Sequence, residues 1–372
     1  MKKYLLLFLL SFGFIGSQFA QVYSDKLIED ENFEQELDSL RAIKDYSILP
    51  IFGKQVRDKG FDLPYSAGLS VNYLYQQSDI LIDKLQVGFN NGPLIPMDEF
   101  FYFDEAISRA NGFNVRPDFW LFPFLNVYGI FAYINGSTEI DGTISVPNQD
   151  GYEDLFDINS TVEFAGTSAG FGITPTVGIG GVWMAVDMNF TWTDFEQLDE
   201  PAYAFVLGPR IGKTFNFRKP EQNLSVWAGG FRIALNSDDS GSLRLDDVFE
   251  FNGEFEQKID NGLMRVEQKQ IEVEEWWQSL TPPQQALNRP RYNALNRVLG
   301  AANNFLEQLN QARDNVTNST VQYSLDKRQK KLWNFVLGAQ YQFNKHWMFR
   351  AEVGFLGART QVISGLQYRF KL

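Results

Sequence analysis

One histidine, His346, stands among the 372 residues, and there is no cysteine. Acyl transfer and hydrolysis usually lean on a histidine base, because its pKa lies near neutrality. His346 sits in Asn344-Lys345-His346, between two alternating apolar runs. That placement reads as a tight turn at the rim of a sheet, with no route to a nucleophile, so the chain is read as a non-enzyme. Without cysteine there is no thiolate nucleophile, disulfide framework or thiolate metal site. The run Gly208-Pro209-Arg210-Ile211-Gly212-Lys213-Thr214 carries the glycines and the Lys-Thr pair of a phosphate-binding loop. Such a loop needs four residues between its glycines and must open a helix. Here three intervene, inside the alternation of Tyr203, Phe205, Leu207, Phe215 and Phe217, so the run reads as strand. Asp238, Asp239, Asp246 and Asp247 could offer Ca²⁺ the carboxylate oxygens it prefers, but they lack the spacing of a calcium loop. A solvated acidic loop is the favoured reading. No metal and no cofactor is expected.

The remaining chemistry is charge held on strands. Arg116, Asp118, Glu163, Asp187, Arg210, Arg232, Arg350, Glu352 and Arg369 are read as lining the inside of a closed sheet. Both signs are present, which favours ion pairs across a narrow interior over the ring of like charge that an ion-selective pore would use.

The elements that would position them are clearest near the C-terminus. Trp333, Phe335, Leu337, Ala339, Tyr341 and Phe343 alternate with Asn334, Val336, Gly338, Gln340 and Gln342. Trp347, Phe349, Ala351, Val353 and Phe355 repeat the pattern, as do Val362, Ser364, Leu366, Tyr368, Phe370 and Leu372. Period-two alternation marks strands with one apolar face. Aromatics at the strand ends, opposed by Gly, Gln and charge, suit a membrane barrel with its apolar face to lipid. Ten strands are expected, near 66–77, 111–122, 125–138, 160–177, 179–194, 201–217, 222–236, 330–343, 346–357 and 360–372. Twelve is the rival count, because Ile80–Phe89 has strand character and the long insert could hide another strand. Segments 78–110, 139–159 and 237–329 read as long outer loops.

The ending resembles that of Gram-negative outer-membrane β-barrel proteins, whose last strand carries a barrel-insertion pattern of glycine followed by spaced aromatics. Gly365, Tyr368 and Phe370 match it. The resemblance implies an outer-membrane location, lipid around the barrel and handling by the barrel-assembly machinery, but no particular activity.

Residues 1–20 read as a signal peptide: Lys2 and Lys3, an apolar run from Tyr4 to Ile15, then small residues ending at Ala20. Residues 21–63 form an acidic periplasmic tail, and 64–372 the barrel. The net charge of −13 disfavours a nucleic-acid partner.

Within 253–318 the period changes. Ile259, Leu263, Val266, Gln270, Val273, Trp277 and Leu280 are spaced as heptads, and Tyr292, Leu295, Leu299, Ala302, Leu306, Leu309 and Val316 take the pattern up after Pro282-Pro283. This predicts an antiparallel helical hairpin, its second helix starting near Arg291 after Pro290. The fold class is thus all-β, a transmembrane antiparallel barrel with an inserted helical hairpin. A narrow or gated pore for small molecules, with the hairpin as lid, is the first functional expectation. A non-transporting scaffold that shows the hairpin to a protein partner, or to a second copy, is the second.

Overall fold

Strands whose outer face must meet lipid and whose inner face must fill a lumen can satisfy every backbone group only by closing on themselves. In the computed structural model they do. It describes residues 48–57, 63–148, 151–179, 181–196, 198, 200–219, 221–235 and 238–372. The signal peptide and most of the tail lie outside the described residues.

A short helix α1 (Gly53–Arg57) precedes β1 (Ala67–Phe89), β2 (Ile95–Pro96), β3 (Phe101–Phe122), β4 (Leu125–Pro147) and β5 (Tyr152–Ile179). Then come β6 (Val182–Phe195), β7 (Ala202–Asn216), β8 (Asn223–Leu235) and β9 (Asp238–Arg244). The helices α2 (Leu245–Val248), α3 (Gly253–Ser279) and α4 (Pro282–Arg313) follow. The chain finishes with β10 (Thr320–Gln329), β11 (Trp333–Gln342), β12 (Trp347–Phe355) and β13 (Arg359–Phe370). Among the described residues, ten strands form the barrel in the order β1, β3, β4, β5, β6, β7, β8, β11, β12, β13. Ladder pairing of β1 with β13, from Ala67↔Phe370 to Ser78↔Arg359, closes it. Ile80–Phe89 is strand, but it continues β1 rather than adding a barrel strand. The rival count of twelve falls away.

Turns at the end carrying Ala67 and Phe370 are short, as at Pro123–Phe124 and Phe343–His346, while the opposite end carries the insert. Short turns face the periplasm in such barrels and long connections face outward. Lipid-facing aromatics gather at both levels. Phe215, Phe217, Tyr341, Phe343, Trp347, Tyr368 and Phe370 form the periplasmic belt, and Tyr73, Phe113, Tyr133, Trp192, Tyr203 and Trp333 the outer one. A closed barrel with an apolar flank between two aromatic belts crosses a membrane, and here that is the outer membrane. Among the described residues no helix is long and apolar enough to cross one.

Two of the expected outer loops are strand instead. Segments 78–110 and 139–159 largely carry the continuations of β1, β3, β4 and β5 beyond the membrane, forming a wall on one side of the mouth. Above Ser78, β1 leaves β13 and pairs with β10, from Ile80↔Gln329 to Phe89↔Val321, and β10 pairs with β9. Lys84, at φ 52°, sits in the bulge between Asp83 and Gln86 where the register shifts. The segment outside the barrel thus runs from β9 to β10, within the expected outer piece 237–329, and the two helices lie inside the expected 253–318.

The hairpin forms as the heptads require, with Ile259, Val266 and Val273 of α3 and Leu295, Leu299, Ala302, Leu306 and Leu309 of α4 buried. It does not stand alone. The lumen-side parity of β4 and β5 continues upward into Ile144, Val146, Phe156 and Ile158, and these pack in one core with Val266, Leu299, Phe305 and Leu306. Phe305 lies 5.6 Å from Phe89 and 6.0 Å from Phe100 between ring centroids. The helices thus sit against the inner face of the wall, above the mouth, as a folded cap.

The start expected for the second helix is corrected: α4 opens at Pro282 and contains Pro290. The Thr281 N–H donates to Gln284 Oε1 at 2.9 Å, and proline in the first turn forfeits no helical bond. Pro290 removes the donor to the Ala286 carbonyl, but both residues are exposed, so water takes its place.

Candidate functional site

The lumen is built in layers. Nearest the periplasm, Asp118 of β3 meets Arg369 of β13 at 3.0 Å, both buried. Asp118 also accepts from Asn126 (2.9 Å) and Gln367 (2.7 Å), and Arg369 Nε donates to the Tyr65 carbonyl (3.0 Å). Strand β1 crosses between them at Gly68, where a Cβ would lie 2.6 Å from the Asp118 carboxylate. Only glycine leaves room for this pair.

The next layer crosses the barrel. The Arg116 guanidinium lies 4.0 Å over the Tyr128 ring, and the Tyr128 hydroxyl donates to Asn189 at 2.7 Å. Asp187 accepts from Thr174 (2.7 Å) and pairs with Arg210. Arg210 reaches from β7 to Glu352 on β12 at 3.5 Å, and Glu352 holds Arg350 at 3.2 Å and accepts from Trp227 Nε1 at 2.9 Å. Arg350 stacks 4.9 Å from the Trp227 ring. Trp227 in turn lies over Gly338 of β11, where any Cβ would come within 2.3 Å of the indole. Buried charges persist only when paired and hydrogen-bonded, and Asp187, Arg210, Arg350 and Glu352 meet that condition. Higher still, Arg359 donates to Ser78 Oγ (3.1 Å) beside the Phe231 ring.

Seven of the nine expected lumen residues are therefore inside: Arg116, Asp118, Asp187, Arg210, Arg350, Glu352 and Arg369. Glu163 and Arg232 are corrected to the outer surface. On β5 the inward positions are even-numbered, as Ser168 and Thr176 show, and on β8 they are odd-numbered, as Ser225 and Trp227 show. Both misplaced residues are exposed. Arg359, Trp227, Trp183 and Tyr128 line the lumen without having been singled out. Apolar or isolated positions on alternating runs carry no charge pattern that would mark them.

Of the insertion-pattern residues, Gly365 faces inward against Asn72, and Tyr368 and Phe370 face lipid. His346 occupies the periplasmic turn, its ring between Tyr65 (4.8 Å) and Tyr368 (5.4 Å) and Nδ1 2.8 Å from the Arg369 carbonyl. Residues 208–214 are strand within β7. Asp246 and Asp247 both face Arg244, at 3.4 and 2.7 Å, and that guanidinium holds the Asp247 carboxyl below its ordinary value.

Comparison with solved structures returns outer-membrane barrels at low similarity. An outer membrane channel from Pseudomonas putida F1 is 10% identical, over 83% of this chain and 97% of its own, with a TM-score of 0.27. The β domain of the Bordetella autotransporter BrkA is 7% identical over 82% and 100%, with a TM-score of 0.30. The translocator domain of the autotransporter NalP from Neisseria meningitidis is 11% identical over 82% and 88%, also at 0.30. No family model and no curated protein matches the chain. These likenesses are too distant to assign an activity.

The cap is latched to the wall by charge. Arg265 and Lys269 of α3 both engage Glu153 at the start of β5, Lys269 at 3.1 Å, and Arg265 Nη1 donates to the Leu155 carbonyl at 3.0 Å. Arg265, then Lys269, hold the Glu153 carboxyl below its ordinary 4.5. A carboxylate lowered in the folded state stabilises it above the unfolded pKa and ceases to do so as pH falls through the folded one. The α3–β5 contact should accordingly be insensitive to pH near neutrality and loosen only below pH 4.5. The side chains are a third exposed, so the loss is under about 1 kcal/mol. Hydrogen exchange of α3 amides, measured from neutral pH downward, checks the window.

Proposed function

We propose that this chain is a closed outer-membrane barrel that anchors a folded module at the cell surface for a partner, in preference to a pore. The observation that carries the reading is the continuity of the cap core with the lumen wall. The strand faces that line the lumen become, higher up, the faces that bury α3 and α4. A lid must separate from its seat at small cost, and one sharing a buried core with four wall strands does not. The Arg210–Glu352 pair, which reaches over the lumen from β7 to β12, supports the same reading.

The free end of the hairpin supports a partner-facing role. Trp277 stacks on Tyr292 at 4.3 Å, and Arg289 and Arg291 lie 5.6 and 5.3 Å over the two neighbouring indoles. Trp, Tyr and Arg are the residue types that dominate binding energy at interfaces. A non-enzymatic role is supported by His346, whose ring is committed to Tyr65, Tyr368 and a carbonyl.

Reconstitution in planar bilayers tests the proposal. Mature protein whose insertion is confirmed by heat-modifiable gel mobility should give silent membranes. Discrete conductance steps from the intact protein would overturn it and restore the gated-pore reading.

A further inference from the structure

On the lipid-facing side, β6, β7, β8 and β11 bound a groove of about 480 Å³ in the periplasmic half of the barrel. Val182, Ile211, Val226 and Leu337 wall it, and Ala228 floors it. Ala228 lies directly opposite Ile211 on one side and Leu337 on the other, so a methyl group sits between two branched side chains. Lys213 stands at the periplasmic end of the groove, opposite Val182 and Val226.

Lys213 faces lipid, because its neighbour Thr214 is buried on the lumen side against Ser225. Its ammonium lies 5.3 Å from the Phe215 ring, within the periplasmic aromatic belt. A cation on a lipid-facing surface is costly unless it meets water or headgroups, and the belt marks that depth. Apolar wall and cation together match the two ends of one molecule. We propose that the groove holds a phospholipid of the periplasmic leaflet, with an acyl chain along Ala228 and its phosphate on the Lys213 ammonium.

The test is native mass spectrometry of the mature protein refolded in phosphatidylethanolamine vesicles and extracted in mild detergent. The wild-type protein should retain one phospholipid. Lys213→Gln should retain about tenfold less, the factor a charge-assisted hydrogen bond supplies. Ala228→Phe, which fills the groove, should reduce retention as well. Arg232→Gln, on the same strand face but outside the groove, should bind like wild type. Heat-modifiable mobility confirms folding of each variant, and the exposed Lys213 position tolerates glutamine. Release of all lipid by the wild type, or unchanged retention in Lys213→Gln, overturns the assignment.

Discussion

Glu352→Gln will cost the barrel about 3 kcal/mol, because it withdraws the negative charge that serves Arg210 and Arg350 together. Glutamine keeps the shape and can still accept from Trp227, so the loss reports the charge and not a cavity. The carboxylate is only 5% exposed, and water gives little compensation. The measurement is the urea midpoint for loss of the compact, heat-modifiable form in vesicles. Arg232→Gln is the matched control, since that residue faces outward. It should shift stability by less than about 0.5 kcal/mol. Equal effects at the two positions would remove the lumen network from the account of barrel stability.

Phe305→Ala will release the cap without opening the barrel. The side chain is 1% exposed and bridges α4 to Phe89 of β1 and to Phe100. Emptying such a site costs about 3–5 kcal/mol in lost burial and cavity. Limited proteolysis should then cut within 253–313, while the heat-modifiable mobility of the barrel is kept. Cleavage that remains at wild-type level would mean the hairpin is held by the Glu153 latch and not by its core.

The barrel was legible because lipid outside and polar filling inside impose a period of two on every spanning strand. That contrast placed all ten strands and seven lumen charges. It failed where the environment inverts. Above the membrane the inner face is a dry core and the outer face is wet, so Ile144, Val146, Phe156 and Ile158 point inward while Asp157 and Glu163 do not. Read with the membrane rule, Glu163 falls on the wrong side and the upper strands dissolve into loop. Arg232 fails for a related reason: its strand carries Phe231 and Ile233 inward, so apolarity no longer separates the faces. The hairpin was legible because its two helices pair through heptads. Val298 and Phe305, which pack toward the wall, lie off that seam and could not be assigned before the wall was known.

Strand β1 is shared by two closures, its lower half by β13 and its upper half by β10. One edge of β1 is covered early by β3. Both partners of the other edge come from the far end of the chain, so that edge must wait for almost the whole sequence before it is covered. Bringing such distant segments together is slow, and an uncovered edge invites pairing with the wrong chain. Until then the molecule is an open sheet, and sealing the cylinder and seating the cap become a single late event. A chain truncated anywhere between β10 and β13 should therefore accumulate as an unsealed, protease-sensitive species rather than as a smaller barrel.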